Sequence, residues 1–117
     1  MADRKIALFA FNGETMCFAH VLLNALDFQA RGWTARIIVE GSATRTAARL
    51  ADPDQPFAKL YAKVRNAGLI DCVCKACSAK MGVLEQIKAQ GLPLGSDMAG
   101  HPSVGKYLES GFEVLTF

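Results

Sequence analysis

Lys5-Ile6-Ala7-Leu8-Phe9-Ala10-Phe11-Asn12-Gly13 stands near the start of the sequence, an unbroken apolar run closed by an Asn-Gly pair. A strand with one wetted face alternates apolar and polar residues. A run without that alternation reads as a strand buried on both faces, as in a parallel sheet with a helix layer on each side. Parallel neighbours need crossover connections, so a helix is expected next. Glu14 to Arg31 supplies it, with Met16, Ala19, Leu22, Leu23 and Leu26 at helical spacing and Gly32 as the stop.

The same alternation continues downstream. Thr34 to Glu40 is rich in β-branched residues and ends at Gly41, and Ser42 and Thr44 stand where a helix N-cap is wanted. A short helix to about Leu50 and a second from Phe57, with Leu60, Tyr61 and Val64 on one face, form the longest connection. Leu69 to Cys74 reads as strand three, Ser78 to Gln90 as the helix after it, and Gly91 to Gly95 as a brief strand weakened by Pro93. A loop over Ser96 to Gly100, a short helix from Pro102 and a final strand over Phe112 to Phe117 complete the pattern. Five strands alternating with helices indicate an α/β fold, a three-layer α/β/α sandwich on a five-stranded parallel sheet with right-handed crossovers.

Length and composition fit one domain over residues 1–117, with 51% hydrophobic residues to fill its core. Thirteen basic residues against 11 acidic ones leave a formal charge of only +2, and the basic residues form no run, which argues against nucleic acid as a partner. The first apolar run is too short for a signal-peptide core or a membrane span. Of the four cysteines, Cys72, Cys74 and Cys77 crowd together and Cys17 lies far upstream. A secreted disulfide framework spreads its cysteines to staple a poorly cored chain, so reduced thiols in a cytoplasmic protein are the better reading.

In open parallel sheets the chemistry gathers beyond the carboxyl ends of the strands. The residues falling there are Asn12 and Glu14, Glu40, Cys74 and Cys77, then Ser96, Asp97 and His101. Cysteine stands out. A thiol where a strand enters a helix feels unpaired backbone N–H groups and the positive helix end, which favour the thiolate, and Lys75 and Lys80 add to that field. The C-x-x-C spacing of Cys74 and Cys77 also permits exchange between the two sulfurs. Cys17 and Cys72 read as packed structural thiols, His20 as an ordinary helix residue, and His101, just before the last helix, as a supporting candidate.

Three other readings stay beside this one. A thioredoxin-like pair would follow an early strand, whereas this pair comes late in the chain. Cys72, Cys74 and Cys77 with His101 or Cys17 would add up to four soft ligands, but neighbouring strand positions are unlike the turn-borne pairs of zinc knuckles. No metal and no organic cofactor are therefore expected. A non-catalytic binding or oligomerisation module with packed cysteines is the third. Gly13 and Gly41 make no phosphate-binding fingerprint.

The element order, the apolar first strand and long helix ending at Gly32, the cysteine at 74 followed eight residues later by Gly82 in Cys-Lys-Ala-Cys-Ser-Ala-Lys-Met-Gly-Val, and the closing Glu-Ser-Gly-Phe-Glu-Val-Leu-Thr-Phe together resemble the DsrE/DsrF-like family of small sulfur-relay proteins, which includes subunits related to TusD. That resemblance implies a strand order of 4-3-2-1-5 and assembly as a homo-oligomer, a trimer or hexamer. It also implies a persulfide on Cys74, exchanged with a sulfur donor or acceptor protein. Cys72 and Cys77 are additions to the family's single-cysteine pattern. Cys77 is then an auxiliary thiol, with Lys75, Asn12, Glu40 and His101 as the supporting residues.

Overall fold

The computed structural model of the chain describes residues 4–117, so Met1, Ala2 and Asp3 of the expected domain lie outside the described residues. In chain order the elements are β1 (Lys5–Ala10), α1 (Thr15–Ala30), β2 (Thr34–Val39), α2 (Ala43–Arg49), α3 (Ala58–Asn66), β3 (Ile70–Cys74), α4 (Lys75–Lys80), α5 (Leu84–Ala89), β4 (Leu94–Gly95), α6 (Val104–Glu109) and β5 (Glu113–Thr116). The five strands form one parallel sheet in the order β4-β3-β2-β1-β5. This is the α/β sandwich read from the sequence, in the strand order implied by the resemblance.

The two helix layers are unequal. Alternate residues of the central strands, Ile6, Leu8, Ile37, Val39 and Val73, join Phe18, Leu22, Ala47, Tyr61 and Ile87 of α1, α2, α3 and α5 in the larger core. On the opposite face Ala7, Phe9, Ile38 and Cys72 meet chiefly α6, through Tyr107. A single short helix thus seals one side of the sheet with one aromatic ring, edge-on to Phe9 at 5.5 Å.

β3 carries an irregularity that periodicity does not reveal. Ile37 pairs with Ile70, but the next residue, Ile38, pairs with Cys72, so Asp71 is an extra residue in the strand. A bulge of this kind reverses which face the following side chains take. Ile70 and Val73 consequently lie in the larger core while Cys72 lies in the smaller one, and Cys74 follows it by alternation to the α6 side.

Two elements and one cap differ from expectation. The single helix over Ser78 to Gln90 is two, because Gly82 adopts φ +74 and turns the chain between α4 and α5. The strand expected over Gly91 to Gly95 keeps only Leu94 and Gly95, since Pro93 has no N–H for the ladder. Ser42 occupies the N-cap position of α2 without capping it; its Oγ instead accepts from the Gly13 N–H at 2.8 Å, clamping the β1–α1 and β2–α2 loops together. Among the described residues no helix is long and apolar enough to cross a membrane.

Both tyrosines of the chain are buried, and burial is the first reason their ionisation is pushed up. For Tyr61, fully enclosed and donating to Gln90 Oε1 at 2.6 Å, the shift is from 10 to about 12. The folded state therefore favours the neutral phenol. Its contribution is complete below about pH 10 and is lost as pH climbs toward about 12, roughly 2–3 kcal/mol for two units. Ultraviolet titration is expected to show tyrosine ionising together with alkaline unfolding, and Tyr61→Phe to remove part of that alkaline loss.

Candidate functional site

The sheet order places β4, β3 and β2 side by side, so residues leaving their carboxyl ends converge. Glu40 follows β2 directly, its N–H extending the ladder to the Ala10 carbonyl at 2.8 Å. Cys74 is at once the last residue of β3 and the N-cap of α4, with backbone angles of −58° and 120° that suit both roles. Its Sγ accepts the Cys77 N–H at 3.2 Å, as a capping hydroxyl would, and Ser78 Oγ returns a bond to the Cys74 carbonyl at 2.7 Å. One helical turn on, Cys77 brings its own sulfur to the same spot.

His101 arrives from β4. After β4 the chain makes a tight excursion in which Met98 and His101 bond each other's backbone at 2.7 and 2.9 Å, with Ala99 and Gly100 at φ +50 and +91. The Ala76 N–H anchors this turn by donating to the Gly100 carbonyl at 2.9 Å. Gly95 admits the returning chain: a Cβ there would lie 2.8 Å from Pro102 Cγ and 2.8 Å from Cys72 Sγ. His101 Nδ1 consequently lies 3.1 Å from Cys74 Sγ and 3.7 Å from Cys77 Sγ. Ligating atoms of Glu40, Cys74, Cys77 and His101 all fall within 4.8 Å of one another.

The electrostatics run against the reading from helix position. Burial is the main influence on Cys74 and pushes its thiol up to about 12; the neighbouring Cys77 thiol and the Glu40 charge push the same way, and the Cys77 N–H opposes them. Cys74 thus rests as a neutral thiol, not as a pre-formed thiolate. Glu40 is also shifted upward by burial, with His101 opposing. Cys74 is fully enclosed, while Cys77 and His101 are partly exposed and form the mouth of the cluster.

Two supporting candidates stand apart. Lys75 is exposed on the outer side of α4, and Asn12 uses its Oδ1 to accept the Glu14 N–H at 2.8 Å in the turn before α1. Glu14 caps α1 by accepting the Cys17 N–H, and Asp97 pairs with Lys106 at 3.7 Å. His20 is exposed, Cys17 partly so, and all four cysteines are free. Cys72 is indeed packed, against the Tyr107 hydroxyl at 3.7 Å, and that hydroxyl donates to Asp71. The sequence reading missed the Gly100 carbonyl, which accepts from Cys74 Sγ at 3.8 Å, because a backbone acceptor leaves no trace in residue identity.

No family model matches the chain. Over 96 residues it is 34% identical to the uncharacterized protein MJ0733 of Methanocaldococcus jannaschii, an alignment covering 82% of this chain and 76% of that protein. The chain belongs to the MJ0733 family. Two uncharacterized proteins of Archaeoglobus fulgidus match shorter stretches, one 41% identical over 44 residues, covering 38% of this chain and 72% of that protein, the other 43% identical over 37 residues, covering 32% and 100%. The structure of the conserved protein of unknown function BT1422 from Bacteroides thetaiotaomicron superposes with a TM-score of 0.72 over 98% of this chain and 95% of that one, at 20% identity. This MJ0733-family member and BT1422 thus share a fold.

Proposed function

We propose that this protein is a DsrE/DsrF-like sulfur carrier that holds sulfane sulfur as a persulfide on Cys74 and exchanges it with a partner protein. The observation that carries the reading is the 3.1 Å approach of His101 Nδ1 to Cys74 Sγ, with the Cys77 N–H on the same sulfur. A neutral buried thiol is a poor nucleophile until its proton is accepted, and the imidazole is within reach to accept it. The sheet order that the resemblance implies adds support.

In the loading step the Cys74 sulfur attacks the terminal sulfur of a donor persulfide. Its proton moves to His101 Nδ1 as the new S–S bond forms. The donor's own S–S bond breaks, its inner sulfur leaves as a thiolate, and that thiolate takes up the proton. Sulfane sulfur passes between two thiols and no external oxidant is consumed. Cys77, within 3.7 Å of the same imidazole, provides a second exit: attack on the Cys74 sulfur forms a disulfide and releases the outer sulfur as hydrosulfide, the electrons coming from the two cysteines. Dithiol exchange at the pair is thus a branch of the same chemistry. The cytoplasmic setting and the trimeric or hexameric assembly belong to this proposal, and exposed Met16, Leu23, Leu108 and Leu115 offer apolar area for subunit contacts.

Reduced, chelator-treated protein incubated with a small alkyl persulfide is expected to gain the mass of one sulfur atom, which dithiothreitol removes and Cys74→Ser abolishes. No gain, or a gain unchanged in Cys74→Ser, would sink the reading.

A further inference from the structure

We propose that Glu40, Cys74, Cys77 and His101 form a four-ligand site for a borderline-soft divalent cation of the zinc class. The site requires only these side chains and does not rest on the sulfur-carrier reading.

Two thiols, an imidazole nitrogen and a carboxylate are a complete set for tetrahedral zinc, and the sulfur content selects against magnesium or calcium. Zinc with bonds of about 2.0–2.3 Å sets its ligands roughly 3.3–3.8 Å apart. The 3.7 Å from Cys77 Sγ to His101 Nδ1 already matches, the 3.1 Å from Cys74 Sγ is slightly short, and every other separation is within 4.8 Å. Closing the set takes shifts on the order of 1 Å.

Glu40 supplies an independent observation. It is 7% exposed, and among the described residues its carboxylate accepts no hydrogen bond from the protein; its oxygens still touch solvent, and one lies within 4.8 Å of both sulfurs and the imidazole. A nearly buried carboxylate ordinarily has a donor or a cation beside it. A divalent ion at the centre of the cluster would satisfy it. The soft set that the sequence offers, and that its spacing disfavours, is Cys72, Cys74 and Cys77 with His101 or Cys17. The clustered set has Glu40 in place of Cys72, because the β3 bulge turns Cys72 toward Tyr107, and it takes His101 while Cys17 stays in the first turn of α1, outside the cluster.

Binding displaces both thiol protons to solvent, and that of Glu40 where it is protonated; no oxidation state changes. All four positions are then filled by protein, the closed arrangement of sites that hold structure or block chemistry and not of hydrolytic centres. With Cys74 and Cys77 both engaged, the metal-bound form has no free thiol at this site to accept sulfane sulfur, so zinc occupancy and sulfur loading of Cys74 exclude each other.

The test is titration of the full-length, reduced, metal-free protein with Zn2+ against a chromophoric chelator, and with Co2+ as a spectroscopic stand-in. One ion per chain is expected, with a thiolate-to-cobalt charge-transfer band, intense visible bands of tetrahedral cobalt, and proton release on binding. Cys77→Ser, at the partly exposed mouth, and the isosteric Glu40→Gln should each weaken Zn2+ binding by at least about 10–100-fold, the loss typical of even outer-shell changes. Absence of the charge-transfer band, or full affinity in Glu40→Gln, would overturn the four-ligand site. Sulfur loading is read separately on chelator-treated protein. A chain that loads sulfur but ignores zinc overturns only this inference, and a chain that binds zinc but gains no sulfur overturns only the sulfur-carrier reading.

Discussion

His101→Ala is expected to slow sulfur loading onto Cys74 by roughly 10²–10⁴-fold, the usual contribution of a positioned acid–base group. Cys74 is fully enclosed and its thiol is pushed up to about 12, so near neutrality almost every molecule enters the reaction with the proton still on sulfur. That proton has two acceptors at hand, His101 Nδ1 at 3.1 Å and the Gly100 carbonyl at 3.8 Å. Only the imidazole takes a full proton; the carbonyl merely accepts a hydrogen bond. Truncation leaves the backbone bonds between Met98 and His101 in place, so the turn itself should persist. Free imidazole added to the variant should restore part of the rate, a recovery that a purely structural role would not produce. Quenched-flow alkylation with mass detection of the sulfur adduct gives the comparison. A variant that loads as fast as the parent would remove His101 from the proton path.

Phe9→Ala is expected to cost about 3–5 kcal/mol, a large share of the 5–15 kcal/mol by which a domain is normally stable. Phe9 is fully buried on the thinner side of the sheet, where its companions are Ala7, Ile38, Cys72 and Tyr107. Its ring meets Tyr107 edge-on at 5.5 Å, and Tyr107 in turn meets Phe112 at 5.6 Å. Collapse around the vacancy is resisted because β1 is pinned on both sides by β2 and β5. Phe11 is the control: it lies 6.1 Å from Phe9 but is 41% exposed, so Phe11→Ala should fall near the few tenths of a kcal/mol of ordinary surface changes. Urea unfolding of the pair, with equal m-values, decides it. Equal losses at both positions would mean that the α6 side is not a true core.

Legibility in the sequence followed the range of the interactions involved. β1, β2 and β3 announce themselves because burial on both faces writes apolar residues at most positions, and α1 because apolar residues recur at helical spacing, although Met16 and Leu23 of that set are exposed and Phe18 and Val21 are buried instead. The break at Gly82 was visible as a residue but not as a boundary, since apolar residues on both sides continue a helical pattern. Cys74 and Cys77 were placed together by their own turn of chain. Glu40 and His101 were identified only as residues on the correct edge of the sheet, and their meeting depends on strand order and on the two left-handed residues at 99 and 100. Lys75 and Asn12 had the same positional warrant, but one points to solvent and the other is used by a local turn. The bulge at Asp71, which aims the cysteines, has no sequence signal beyond a polar residue in an apolar strand.

β4 has only two residue pairs with β3, Val73 with Leu94 and Cys74 with Gly95, and it is the strand from which the His101 turn hangs. An edge held by so short a ladder opens at far less free energy than global unfolding requires. Each such opening carries His101 and the Gly100 carbonyl away from Cys74 and bares a sulfur that in the closed state is approached only past the mouth formed by Cys77 and His101. Alkylation of Cys74 by a reagent too bulky for that mouth therefore acts as a clock for the event: its rate divided by the rate for an unfolded thiol gives the fraction of time the edge is ajar. Cys77, already at the mouth, keeps no such time.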